Sequence, residues 1–111
     1  MFKIRLVIII FLLSCSFLTH ALKKRALLVG ISEYGVNTGW KGIHGANDVD
    51  LMKSVLKSFS IRELKNSNAT YDNIIKELNY LKQKSKEGDL VYIHFSGHGQ
   101  PYEDSDGDEL V

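Results

Sequence analysis

Leu90-Val91-Tyr92-Ile93-His94-Phe95-Ser96-Gly97-His98-Gly99 is the stretch that decides how this chain folds. Its first six residues are apolar without alternation, apart from His94, so they fit a strand covered on both faces, as in a parallel sheet between helices. His94 falls on the face of Leu90 and Tyr92 and is expected to be a core histidine with its hydrogen bonds satisfied. His98 follows the strand between two glycines, which let the backbone carry an imidazole with open space beside it. Imidazole accepts and returns protons near neutrality, so His98 is the candidate general base and acid. The competing account is a turn histidine that the glycines merely permit. Ser96 is a poor nucleophile candidate, because no Gly-x-Ser-x-Gly elbow surrounds it.

Working back along the chain, Ala26-Leu27-Leu28-Val29-Gly30-Ile31 is a second unbroken apolar run and reads as another central strand. Gly30 marks either the end of that strand or a close approach of backbone. The residues from Glu33 to Gly45 hold Gly35, Asn37, Gly39 and Gly42 and read as a loop. A helix is predicted from about Asn47 to Ser58, with Val49, Met52, Leu56 and Phe59 as its apolar stripe and Asp48 and Asp50 in the first turn. A short strand is predicted at Ile61 to Leu64 and a turn at Asn66 to Asn68. Thr70 then caps a second helix, with Tyr71, Ile74, Ile75, Leu78 and Leu81 as its inner face, running out in Lys82 to Lys86.

This order of elements predicts a three-layer α/β fold with a mostly parallel sheet. In such sheets catalytic groups collect beyond the carboxyl ends of the strands. Both glycine-rich stretches end on that edge, so topology alone puts His98 in a cleft, with His44 on the same edge as a candidate lining residue.

The chain has 111 residues, enough for one small domain. Residues 1–21 open with Lys3 and Arg5, continue through the apolar run Leu6 to Leu13, and reach small residues at Thr19 and Ala21. That layout reads as a secretory signal peptide, followed by a domain over residues 22–111; the apolar run is short for a membrane span. Two processing routes stay open: cleavage after Ala21, giving a secreted or periplasmic protein, or lipid on Cys15 of Leu12-Leu13-Ser14-Cys15, giving an envelope anchor. Membrane contact is expected only in the second case. Cys15 is the one cysteine, so a domain cut after Ala21 has neither a disulfide nor a thiolate metal site. Without residues 1–21 the chain carries 12 basic and 13 acidic residues, a balance that gives no field for nucleic acid.

No dinucleotide fingerprint or phosphate loop is present. Asn68-Ala69-Thr70 has the form of a glycosylation acceptor, but it coincides with the helix cap. No histidine pair has a familiar metal-ligand spacing. Asp104, Asp106, Asp108 and Glu109 alternate as in a calcium loop, although Gly107 comes earlier than the helix-loop-helix pattern requires. These four carboxylates are the candidate metal ligands, with a solvated acidic turn as the alternative. No cofactor is required by the chemistry read from His98, and calcium is the candidate ion.

Lys24-Arg25-Ala26-Leu27-Leu28-Val29-Gly30-Ile31, Gly42-Ile43-His44-Gly45-Ala46-Asn47-Asp48-Val49, Asn68-Ala69-Thr70 with Asn73-Ile74, Gly88-Asp89 and Phe95-Ser96-Gly97-His98-Gly99, taken in order, resemble the caspase-like cysteine peptidases. The nearest likeness is to the metacaspase or bacterial orthocaspase type, from about Lys23 to Val111. The resemblance implies that His98 is the catalytic histidine of a cysteine endopeptidase and that Gly99 lines the substrate wall. It gives Asn47-Asp48 a structural role beside the active edge and makes the acidic tail the loop after the histidine. It implies a peptide or protein substrate, with arginine or lysine rather than aspartate before the cut, and Glu33 as the carboxylate offered to that basic side chain.

One departure follows. Caspase-type chains carry the nucleophilic cysteine about 50 residues beyond a histidine, and thirteen residues follow His98 here. The expectation is therefore the N-terminal part of such a domain, needing a complementing C-terminal half. The alternative is a catalytically inactive chain that serves as a binding or structural module.

Overall fold

Three parallel strands, β1 (Lys24–Gly30), β2 (Ser60–Lys65) and β3 (Leu90–Ser96), form one sheet in the order β2-β1-β3. Helix α1 (Gly45–Val55) connects β1 to β2, and α2 (Tyr71–Lys84) connects β2 to β3. The computed structural model of the chain describes residues 22–100. Residues 1–21, expected to be a signal peptide, with Cys15, and the acidic candidates Asp104, Asp106, Asp108 and Glu109 lie outside the described residues.

β1 is the core of the molecule because its run does not alternate: both of its faces are covered. Ala26 and Leu28 pack on Val49 of α1, with Met52, Leu56, Phe59, Ile61 and Tyr92 around them. Leu27 and Val29 pack on Leu81 of α2, with Leu64, Ala69, Ile74 and Leu78. The chain moves from β1 outward to β2, then back across β1 to β3. Two crossovers of the same right hand in opposite directions put their helices on opposite faces, which is the observed three-layer α/β arrangement. Each fully buried Leu or Val contributes roughly 1.5–3 kcal/mol over the exposed state.

The register levels the carboxyl ends. Gly30 lies opposite Lys65 on one side and Ser96 on the other. The order of connection reverses at β1, with β2 on one side and β3 on the other, so the carboxyl edge shared by β1 and β3 is the topological switch point at which sheets of this kind place their sites.

The second helix starts as expected, with the Thr70 hydroxyl accepting the Asn73 N–H at 3.2 Å, a cap typically contributing about 1 kcal/mol. Asn73 Nδ2 donates in turn to the Asn68 carbonyl at 2.9 Å. Four expectations need correction, the last being that His94 has its hydrogen bonds satisfied. The first helix begins at Gly45 rather than Asn47, because Ser32 Oγ, fourteen residues upstream, accepts the Ala46 N–H at 2.7 Å. It ends at Val55, and Leu56 and Phe59 complete the stripe from the turn that follows. Tyr71 and Ile75 face solvent, since α2 lies over β1 and β2 and its inner face narrows to Ile74, Leu78 and Leu81. His94 is half-buried on the α1 side, stacked at 6.4 Å on Tyr92, and its Nε2 is enclosed without a hydrogen-bond partner among the described residues.

Candidate active site

The site is built on a glycine contact. A side chain on Gly30 would bring its Cβ within 2.3 Å of the Gly45 carbonyl oxygen, and one on Gly45 would come within 2.5 Å of Ile31 O and 2.6 Å of Ser96 O. Both accounts of Gly30 therefore hold: it ends β1 and it receives backbone. The contact lets the first turn of α1 seat against the carboxyl ends of β1 and β3. The Ile31 N–H donates to Ser96 O at 2.9 Å, and Ser96 Oγ donates to the Asp48 carboxylate. Ser96 is thus engaged as a tie rather than free as a nucleophile, and Asp48 holds the end of β3 to α1.

From this edge, residues 31–43 loop over the end of β3. Asn66, in the left-handed region at φ 48°, accepts the Ser32 and Glu33 N–H groups on its Oδ1 at 2.8 and 3.2 Å. Asparagine tolerates that conformation better than most residues with a side chain. At the far end of the loop the Ile43 N–H returns to Ser32 O at 3.0 Å.

His98 is exposed, yet it is gripped by this loop. Its backbone N–H donates to Tyr34 Oη at 2.7 Å, and its Nε2 is 2.8 Å from the Lys41 carbonyl oxygen. The ring centres of Tyr34 and Trp40 lie 4.8 and 4.6 Å from that of the imidazole and 6.5 Å from each other, so they bracket it from adjacent sides. A carbonyl only accepts, so Nε2 carries the proton of the neutral ring and Nδ1 keeps the lone pair. The imidazole, with its Nδ1 unpartnered among the described residues, therefore stands at the switch point, with its tautomer set by a backbone carbonyl.

The other candidates are less engaged. Glu33 is exposed at the start of the loop, held through its own N–H. His44 is the residue before α1, with Nδ1 3.4 Å from Asn47 Nδ2. Gly99 follows His98, and a Cβ there would meet no atom within 4 Å. Among the described residues no three His, Cys, Asp or Glu side chains group as metal ligands, and no helix is long and apolar enough to cross a membrane. Sequence reasoning missed Tyr34, Trp40, the Lys41 carbonyl and Asn66. Two aromatic rings within a glycine-rich loop on the catalytic edge were the available signal for the first two.

Comparison with known proteins agrees with the geometry. The caspase domain of peptidase family C14 matches residues 23–110. Metacaspase-1 of Pyricularia oryzae is 31% identical over 99 residues, covering 78% of this chain and 24% of that protein. Metacaspase-2 of Trypanosoma brucei brucei is 33% identical over 88 residues, covering 68% and 25%, and metacaspase-1 of Eremothecium gossypii is 33% identical over 98 residues, covering 78% and 21%. The chain spans about a quarter of the length of these curated relatives. No solved structure matches.

Proposed function

The chain belongs to the caspase-domain family, and on that premise we propose that it supplies the histidine side of a cysteine endopeptidase, with His98 as general base and acid. The observation that carries this reading is the Nε2 contact with the Lys41 carbonyl, which leaves Nδ1 as the basic nitrogen at the switch point. Nδ1 takes the proton of a cysteine thiol, and the thiolate attacks the scissile carbonyl carbon. As the C–N bond breaks, the imidazolium returns its proton to the leaving amine, and a thioester remains. Water then attacks the thioester, giving its proton to Nδ1 on the way in, and the thiol leaves reprotonated.

In this proposal the cysteine nucleophile comes from a complementing C-terminal half. Glu33 supports a basic residue before the cut, because its backbone is held near the catalytic edge and an exposed carboxylate there attracts a cation. The acidic residues Asp104, Asp106, Asp108 and Glu109 support calcium binding in the segment that follows the histidine in sequence, and the N-terminal segment supports export, with lipid on Cys15 as the alternative. The second reading is a catalytically inactive binding module.

The test has two steps. Sequencing the transcript past the codon for Val111 shows whether a cysteine-bearing segment follows in frame; a stop without one favours the binding module. The translated product is then assayed on peptides with arginine, lysine or aspartate before the cut, with and without calcium. Cleavage after arginine or lysine that disappears in His98→Ala is expected, and cleavage that survives this change removes His98 from the mechanism.

A further inference from the structure

We infer that Trp40 is a positioning residue for His98: its ring, tilted against the imidazole, keeps the neighbouring Lys41 carbonyl on Nε2 and so leaves Nδ1 as the basic nitrogen. This deepens the peptidase reading and rests on it for its significance, although not for its test. Tyr34 Oη holds the His98 backbone N–H, but the glycines on either side add no side chain that would fix the direction of the imidazole. Lys41 is no better fixed by local sequence, standing between Trp40 and Gly42 in a loop that passes through left-handed Gly39 at φ 74°. Trp40 links the two. Its backbone N–H donates to Thr38 Oγ1 at 3.2 Å, and Thr38 Oγ1 donates to the Gly35 carbonyl at 2.7 Å, so the turn Val36–Thr38 fixes where the indole begins. The indole then lies 4.6 Å from the imidazole at 32°, with Lys41 O 2.8 Å from Nε2.

The test is nitrogen-15 NMR of the 111-residue chain labelled at histidine. A ring N–H held by a carbonyl exchanges slowly with water and gives a signal; a free one does not. The wild-type chain is expected to show the His98 signal on Nε2. Trp40→Leu should make its exchange about tenfold faster, the change expected on losing an aromatic ring contact, and Trp40→Phe should restore slow exchange. A wild-type signal on Nδ1, unchanged exchange in Trp40→Leu, or equal loss in the Leu and Phe variants overturns the proposal. Should Trp40→Leu lose the amide pattern of the folded chain, Thr38→Val tests the same link by removing the hydroxyl that seats Trp40: faster exchange supports it and an unchanged rate overturns it. The readout needs no turnover. A slow Nε2–H signal in a translated product without peptidase activity overturns the proposed function alone, and an active product lacking that signal overturns this inference alone.

Discussion

The two outer strands of the sheet face their surroundings with opposite chemistry. β2 is armoured with charge: Arg62 grips Glu77 of α2 with two donors and lies 4.3 Å over the Tyr80 ring, Lys53 pairs with Glu63 at 2.8 Å, and Lys65 pairs with Asp50. β3 presents Val91, Ile93 and Phe95 on the face away from α1, the last two 45% and 58% exposed. The cause is the placement of the helices. α1 packs on all three strands, whereas α2 packs on β1 and β2. Charged side chains are how a sheet edge resists further pairing, so β2 has the make-up of a true outer strand and β3 that of an interior one. The catalytic candidate extends from the second kind.

The difference is broken most severely at the seam that joins β3 to the rest. Gly45→Val would place side-chain atoms into the backbone carbonyls of Ile31 and Ser96, which belong to the ends of β1 and β3 and cannot turn aside as a flexible side chain would. Overpacking of this kind typically costs about 1–3 kcal/mol and sometimes more, and the upper part of that range is expected here. Urea unfolding measures it. A midpoint equal to the wild type would mean that α1 is not wedged between the two strands.

Acid separates the two seams next. Asp89, just before β3, accepts N–H groups of Lys23 and Lys86, each at 3.0 Å, and the Arg25 guanidinium at 2.8 Å; these donors, the Lys23 amide foremost, hold its carboxyl well below the usual range. On the β2 side the Arg62 hydrogen bonds lower the Glu77 carboxyl against the opposing effect of burial. Both folded values are depressed, so both contributions are present above the ordinary carboxylate range, near pH 4. They are lost as pH falls from there through the folded values. Asp89→Asn should flatten the acid limb of the stability curve more than Glu77→Gln does. The same acid slope in wild type and Asp89→Asn would sink this ranking.

What the sequence revealed and what it hid follow the same physical division. The strands of β1 and β3, the Thr70 cap and the place of His98 were legible because each rests on local pattern: a run without alternation, a hydroxyl three residues before the amide it accepts, a glycine frame after a strand. The start of α1 was hidden because its cap is Ser32, outside any helical period. Tyr71 and Ile75 were misread because periodicity gives the apolar side of a helix, but not how much of it a two-strand footprint can cover. The grip on His98 was the least legible part. Tyr34, Trp40 and the Lys41 carbonyl reach it across more than fifty residues of sequence, and one of the three contacts is made by backbone, which leaves no mark on residue identity. The unpartnered Nε2 of His94 was hidden for the same reason: a partner is a property of neighbours.

The smallest expected effect tests the comparison of edges directly, through a matched pair of substitutions on the two outer strands. Arg62→Ala removes the partner of a carboxylate that is 8% exposed as a residue, and leaving that group unpaired should cost about 1–2 kcal/mol, held down by the solvent that still reaches the guanidinium. Ile93→Thr keeps the β-branched shape that suits a strand and removes apolar surface already half in water, so the change in the 111-residue chain should stay within about 0.5 kcal/mol. Its effect should appear instead in association: a row of exposed Val91, Ile93 and Phe95 favours self-contact, and Ile93→Thr should lower the self-association seen by sedimentation as concentration rises. A loss of stability in Ile93→Thr as large as that in Arg62→Ala would show that β3 is already covered as an interior strand would be, and the contrast between the two edges would disappear.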